Sequence, residues 1–185
     1  MVARGVWLEP TLAIEDIYAH PERYRAHAGE AQLGTSVAEW WSLGADTAAQ
    51  RRRQAVTARL REVVRHFHAA GGVVLAGTDL APLPGFGLTD ELALLVEAGL
   101  SPAAALRAAT LDPARVFGWS SRLGTVERGK LADLVLLDAD PLADVRNVAK
   151  IRAVVSNGQL LDRVALDRLL TAGGGTASGR LDGRR

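Results

Sequence analysis

The 185-residue chain contains no cysteine. That excludes disulfides, thiolate metal sites and a cysteine nucleophile. Net charge is nearly absent as well: 22 Lys and Arg stand against 21 Asp and Glu, leaving +1. Such a balance offers no electrostatic footprint for nucleic acid or an acidic membrane surface. No apolar run approaches the roughly 18 residues of a membrane span. The opening MVARGVWLEPTL has neither a long apolar stretch nor a small-residue cleavage site, so no signal peptide is expected and the expected location is cytoplasmic. The length falls short of the roughly 200 residues that a complete (β/α)8 barrel requires. What is present suffices for a core: 48% hydrophobic and 23% charged residues exclude wholesale disorder.

Val6-Trp7-Leu8 reads as a short buried strand ended by Pro10-Thr11, followed by a polar, Ala-rich segment in which Pro21 opens a short helix. Residues 29–44, with Trp40-Trp41, read as loop or broken helix. Thr47 to Ala70 predicts the longest helix, with Val56, Leu60, Val63, Val64 and Phe67 on one face. Gly71-Gly72 ends it. Val73 to Ala76 is wholly apolar, as suits a parallel strand buried on both faces. The Pro- and Gly-rich stretch Leu80 to Leu88 predicts a loop, whose Leu83 and Phe86 are candidates to touch a substrate. Thr89 caps the next helix, with Leu92, Leu95 and Val96 as its apolar face. Ser101-Pro102 and Asp112-Pro113 each start another. Past Trp119 the pattern becomes β: Leu134 to Leu137, then two runs flanking Asn157-Gly158, a hairpin signal. Val164 to Leu170 predicts a last helix, and the Gly-rich remainder a disordered tail.

Asp79 stands out chemically. It lies where an apolar strand meets a Pro/Gly loop, the edge at which parallel α/β folds place ligands and catalytic groups. A carboxylate there can ligate a metal or accept a proton from water; the plainer alternative is a turn cap. His66-Phe67-His68 has the form of a metal-binding HxH. On a helix the two rings point about 200° apart, so joint chelation is not expected. His20 and His27 read as surface residues. The stretch Gly124 to Lys130 imitates a phosphate-binding loop, but Leu131 replaces the needed Ser or Thr, Glu127 is acidic and a strand follows, so a turn is expected. Asp138, Asp140 and Asp144 imitate a calcium loop, with Ala143 and Ala149 where Gly and Glu are required. Arg51-Arg52-Arg53 reads as a solvated helix face.

Several stretches together carry a resemblance: AGTD at Ala76–Asp79, DELALLVEAGLSPAAALRAATLDPARVFG, and RLGTVERGKLADLVLLDADPLADVRNVAKIRAVVSNGQLLDR. In this order they resemble the C-terminal section of the amidohydrolase superfamily, nearest to its imidazolonepropionase-like and Xaa-Pro-dipeptidase-like members. Gly5–Ala13 resembles the seventh barrel strand. The resemblance implies an α/β fold: the C-terminal part of a TIM-like (β/α)8 barrel, about the last two β/α units, then part of a small β-sandwich. It divides the chain into a partial barrel (1–118), a partial sandwich (119–163), a terminal helix (164–170) and a tail (171–185). It further implies metal-activated water attacking amide or cyclic amide C–N bonds of a small-molecule substrate, with one or two divalent ions, zinc foremost. In the family, ligands come from HxH after strand one, Lys or Glu after strand four, His after strands five and six, and Asp after strand eight. Asp79 matches the last of these, as metal ligand and proton acceptor. The others have no counterpart here, and His66 and His68 precede strand eight. The expectation is therefore a hydrolase section inactive alone, whose partner is a complementing N-terminal part or a second copy. The alternatives are a non-catalytic interaction or dimerisation module, or a truncated gene product.

Overall fold

The computed structural model describes residues 5–25, 47–79 and 87–173. Among the described residues there are two sheets. The first pairs β1 (Trp7–Leu8) with β2 (Val73–Val74) in parallel, Trp7 opposite Val73 and Leu8 opposite Val74. The Leu75 amide extends the ladder by donating to the Leu8 carbonyl at 2.8 Å. A parallel pair demands a long crossover. The chain between the strands includes α1 (Leu12–Ala19), α2 (Pro21–Arg25) and α3 (Thr47–Ala69). Helix α1 falls within the stretch that reads from sequence only as polar and Ala-rich. Its Leu12, Ala13, Asp16, Ile17 and Ala19 are all buried and share one face.

The strand edges are less buried than their apolar sequences predict. Val6, Trp7 and Val73 are exposed, whereas Val74 and Leu75 are buried. Helix α3 keeps part of its predicted face: Val64 is buried and Leu60 and Phe67 pack on the core, but Val56 and Val63 are about half exposed and Thr57 is buried. Neighbours in a helix lie about 100° apart, so Val56 and Thr57 face different ways. The buried side of α3 packs on α1. There Gln50 and Gln54 donate to the Ala19 carbonyl, closing the C-terminal end of α1.

After β2 come α4 (Gly87–Glu97), α5 (Pro102–Ala108) and α6 (Leu111–Val116). Helix α4 begins two residues before Thr89, and α6 starts at Leu111 with Thr110 before it rather than at Asp112-Pro113. Ser101 caps α5 as its sequence predicts, accepting from the Ala104 amide at 3.2 Å. The core lies among α1, α3, α4 and α5, centred on Leu12, Ile17, Val64, Leu92 and Leu95. Each such side chain contributes about 1.5–3 kcal/mol by leaving water.

The second sheet is antiparallel, in the order β3 (Leu134–Leu137), β4 (Ile151–Ser156), β5 (Gln159–Leu161). Its register changes between Leu136 and Leu137, a bulge-like irregularity. Asn157 and Gly158 both have positive φ, 49° and 76°, and connect β4 to β5 as a two-residue hairpin turn. A 3₁₀ turn (Val145–Ala149) packs on α4, and α7 (Arg163–Gly173) packs on β4. Helix α7 thus extends beyond the predicted Val164–Leu170 and takes in the first residues expected to be tail.

The imitations of ligand loops resolve as local structure. Lys130 bonds Thr125 and faces Glu127 at 3.6 Å, inside the turn. Asp140 accepts from the Leu142 amide, Asp144 from Arg146, and Asp138 pairs with Arg152. Gly124, at φ 93°, is pressed on α6: an added Cβ would stand 2.9 Å from the Leu111 backbone. Gly124→Ala should lower stability by about 2 kcal/mol in a urea melt, since backbone cannot yield as a side-chain tip can.

Candidate active site at the strand edge

Because β1 and β2 run parallel, the residues that follow them emerge at one edge. Glu9, Pro10 and Thr11 leave β1; Ala76 to Asp79 leave β2. The β2 exit is tied down by the Ala76 amide, which donates to the Ala108 carbonyl at 2.9 Å. Asp79 is exposed and has φ 51°, the left-handed region that Asp tolerates better than most residues. Beside it, Gly77 lets Glu9 close in: a Cβ at Gly77 would lie 1.8 Å from Glu9 Oε1. The edge thus carries two carboxylates, Asp79 and Glu9.

Behind this edge lies Glu91 of α4, fully buried. Its Oε2 accepts from the Ala13 amide at 2.7 Å, across 78 residues of sequence. Thr11, the residue before α1, has φ 48° and makes no side-chain cap. Glu91 therefore supplies the acceptor that the helix start requires. Burial pushes its carboxyl up to about 7, against the lowering effect of the Ala13 and Leu12 amides, and the Glu9 charge adds to the rise.

A second buried carboxylate organises the helices. Asp16, 1% exposed, accepts from Arg61 at 2.7 Å, from the Tyr24 hydroxyl at 3.0 Å and from Arg23 at 3.3 Å. Burial first, and Asp16 next, raise the Tyr24 phenol far above its ordinary value. Arg61 also meets Glu97 at 3.4 Å, and Glu97 meets Arg146 at 3.8 Å. Sequence reasoning missed both Asp16 and Glu91. The available signal was an acidic residue embedded in an apolar helical face, as in LAIEDI and DELALL.

The described histidines do not join Asp79. His68 lines a cavity of about 470 Å3 with Gly5, Val6, Gly72 and Val73, at the opposite, N-terminal ends of the strands. His66 is exposed, and His20 lies 3.5 Å from Glu22. His27, Leu83, Phe86 and Trp40-Trp41 lie outside the described residues. Among the described residues no three His, Asp or Glu side chains converge on one point. A catalytic zinc takes about three protein ligands, so these donors alone do not fit a complete metal site. No described helix is long and apolar enough to cross a membrane.

The sequence model of the amidohydrolase family matches residues 1–161. The chain belongs to the amidohydrolase family. It is 40% identical over 98 residues to adenine deaminase 2 of Agrobacterium fabrum, covering 51% of this chain and 16% of the relative. It is 31% identical over 102 residues to imidazolonepropionase of Thermoplasma volcanium, covering 52% and 25%. The chain thus matches a quarter or less of the length of these curated relatives. Among solved structures, a Xaa-Pro dipeptidase with bound methionine superposes with a TM-score of 0.65 at 21% identity, a likeness of fold. The superposition covers 88% of this amidohydrolase chain and 36% of the dipeptidase. Phenylurea hydrolase B superposes with a TM-score of 0.50 at 36% identity, covering 57% and 27%.

Proposed function

We propose that the chain is the C-terminal section of a metal-dependent hydrolase that cleaves amide or cyclic amide C–N bonds of a small molecule. One observation carries this reading: in a chain of the amidohydrolase family, Asp79 stands at the C-terminal edge of a parallel strand pair, open to solvent. Under this reading β1 and β2, with their helices, are the last two β/α units of a TIM-like barrel. The boundaries 1–118 and 119–163 separate that part from a partial β-sandwich; the remainder is a terminal helix and a tail.

Asp79 is the metal ligand this section contributes and the proton acceptor for the attacking water. A divalent metal, zinc foremost, would supply Lewis acidity in the completed site. The described donors do not complete that site, and under this reading the section needs the family's other ligands to be active. Partnership with an N-terminal part, or with a second copy, restores the site.

The test mixes the chain with the N-terminal part of a family relative and assays N-acyl and cyclic amide substrates with zinc. The chain alone should show no turnover, and the mixture should. Asp79→Asn should then reduce turnover on the order of 10²-fold, the lower range for loss of a proton acceptor. Turnover indifferent to Asp79→Asn would sink the assignment. Exposed Val135, Leu136 and Leu160 on the second sheet support the rival reading, an association module. That module would associate identically with and without Asp79→Asn.

A further inference from the structure

We infer that Glu91 is a positioning residue: from α4 it grips the start of α1 and holds the β1–α1 turn so that Glu9 stays over Gly77, beside Asp79. The inference deepens the reading of this edge as the active site and rests on it for its functional meaning.

The geometry has three parts. Helix α1 opens without a side-chain cap of its own, because Thr11 is in the left-handed region and turns no oxygen to the helix. Glu91 Oε2 meets the Ala13 amide at 2.7 Å from the helix that follows the β2 exit, so one side chain joins both strand exits. Glu91 is fully buried, and its Oε1 finds no hydrogen-bond partner among the described residues. A buried carboxylate left half satisfied costs free energy that a neutral apolar residue would avoid. It is retained where its one strong bond fixes something, and here that is Pro10-Thr11 and the Glu9 three residues before α1. Without the clamp, Glu9 is no longer constrained to the space that Gly77 leaves open.

The charges around Glu91 are few. From the β1 exit only Glu9 acts on it. Asp16 of α1 is occupied by Arg23, Tyr24 and Arg61. Arg61 of α3 turns to Asp16 and Glu97, and Arg146 of the 3₁₀ turn to Glu97 and Asp144. Among the described residues no cation pairs with Glu91, and the Ala13 amide is its one direct hydrogen-bond partner.

Amide hydrogen exchange and carboxyl-carbon NMR on the full chain test this without requiring activity. Glu91→Ala should accelerate exchange of the Ala13 amide at least about tenfold, the scale of one lost hydrogen bond, while the Leu95 amide keeps its rate. Glu91→Gln, whose amide oxygen still accepts, should retain Ala13 protection. At one fixed pH the Glu9 carboxyl-carbon resonance should move in Glu91→Ala and keep its native position in Glu91→Gln. Unchanged Ala13 exchange in Glu91→Ala overturns the inference. So does uniform acceleration at Ala13 and Leu95, or a Glu9 resonance that does not move in Glu91→Ala. Should Glu91→Ala not fold, Glu91→Gln decides alone: loss of Ala13 protection there, or a shifted Glu9 resonance, overturns the inference. None of these outcomes depends on turnover, so their failure leaves the hydrolase reading standing, and its failure leaves them standing.

Discussion

Asp16→Ala lowers the free energy of unfolding by about 3 kcal/mol, read as a fall in the urea midpoint at unchanged slope. Three donors converge on this one carboxylate, from α2 and α3, while it sits in the middle of α1. Removing it leaves the Tyr24 hydroxyl buried without its acceptor and Arg61 without its shortest bond. Arg61 is a quarter exposed and keeps Glu97, which limits the loss on that side. The buried Asp16 and Tyr24 end is where the cost concentrates. Asp16→Asn keeps an acceptor but loses the charge, so it should fall between the native chain and Asp16→Ala. Equal midpoints for native and Asp16→Ala would show that the cluster contributes nothing net.

Glu91 predicts the second large effect, as a dependence on pH. An unfolded Glu titrates at 4.5, and in the folded chain burial raises this one to about 7. Between those values the folded state holds a proton that the unfolded state has released. Its contribution to stability therefore declines as pH rises from about 4.5 to about 7 and is level above that. Over the whole window the decline is about 3 kcal/mol. Glu91→Gln cannot titrate, so the difference between native and variant stability should shift by that amount between pH 4.5 and 8. Urea melts at intervals across the range measure it, and contributions common to both proteins cancel in the difference. A constant difference would mean that Glu91 is charged throughout, with its buried carboxylate better solvated than its surroundings imply.

Comparing residues shows where the amino-acid order was sufficient. Ser101-Pro102, Asn157-Gly158 and the glycines after helices are short-range devices: a side chain or a φ value acts on atoms within a few residues. The structure places them where the sequence does. The apolar run before Asp79 also indicates a strand, and it pairs in parallel with β1, although Val73 is exposed rather than buried. Family membership over residues 1–161 was legible for a related reason, since it rests on the order of many such short pieces.

Tertiary structure decided the rest. That Thr57 of α3 is buried while Val56 and Val63 are half exposed depends on how the helix packs against α1, which helical periodicity alone does not specify. The exposure of Trp7 and Val73 depends on how few elements flank a two-stranded sheet. Above all, Glu91 and Ala13 are 78 residues apart and Asp16 and Arg61 are 45 apart. A buried carboxylate is stable only beside its donors, and those donors become neighbours only when the helices pack. The sequence by itself determined the local turns, the strand before Asp79 and the family. The packing determined that Glu9 shares an edge with Asp79, that His68 lies at the opposite one, and that Glu91 joins the two strand exits.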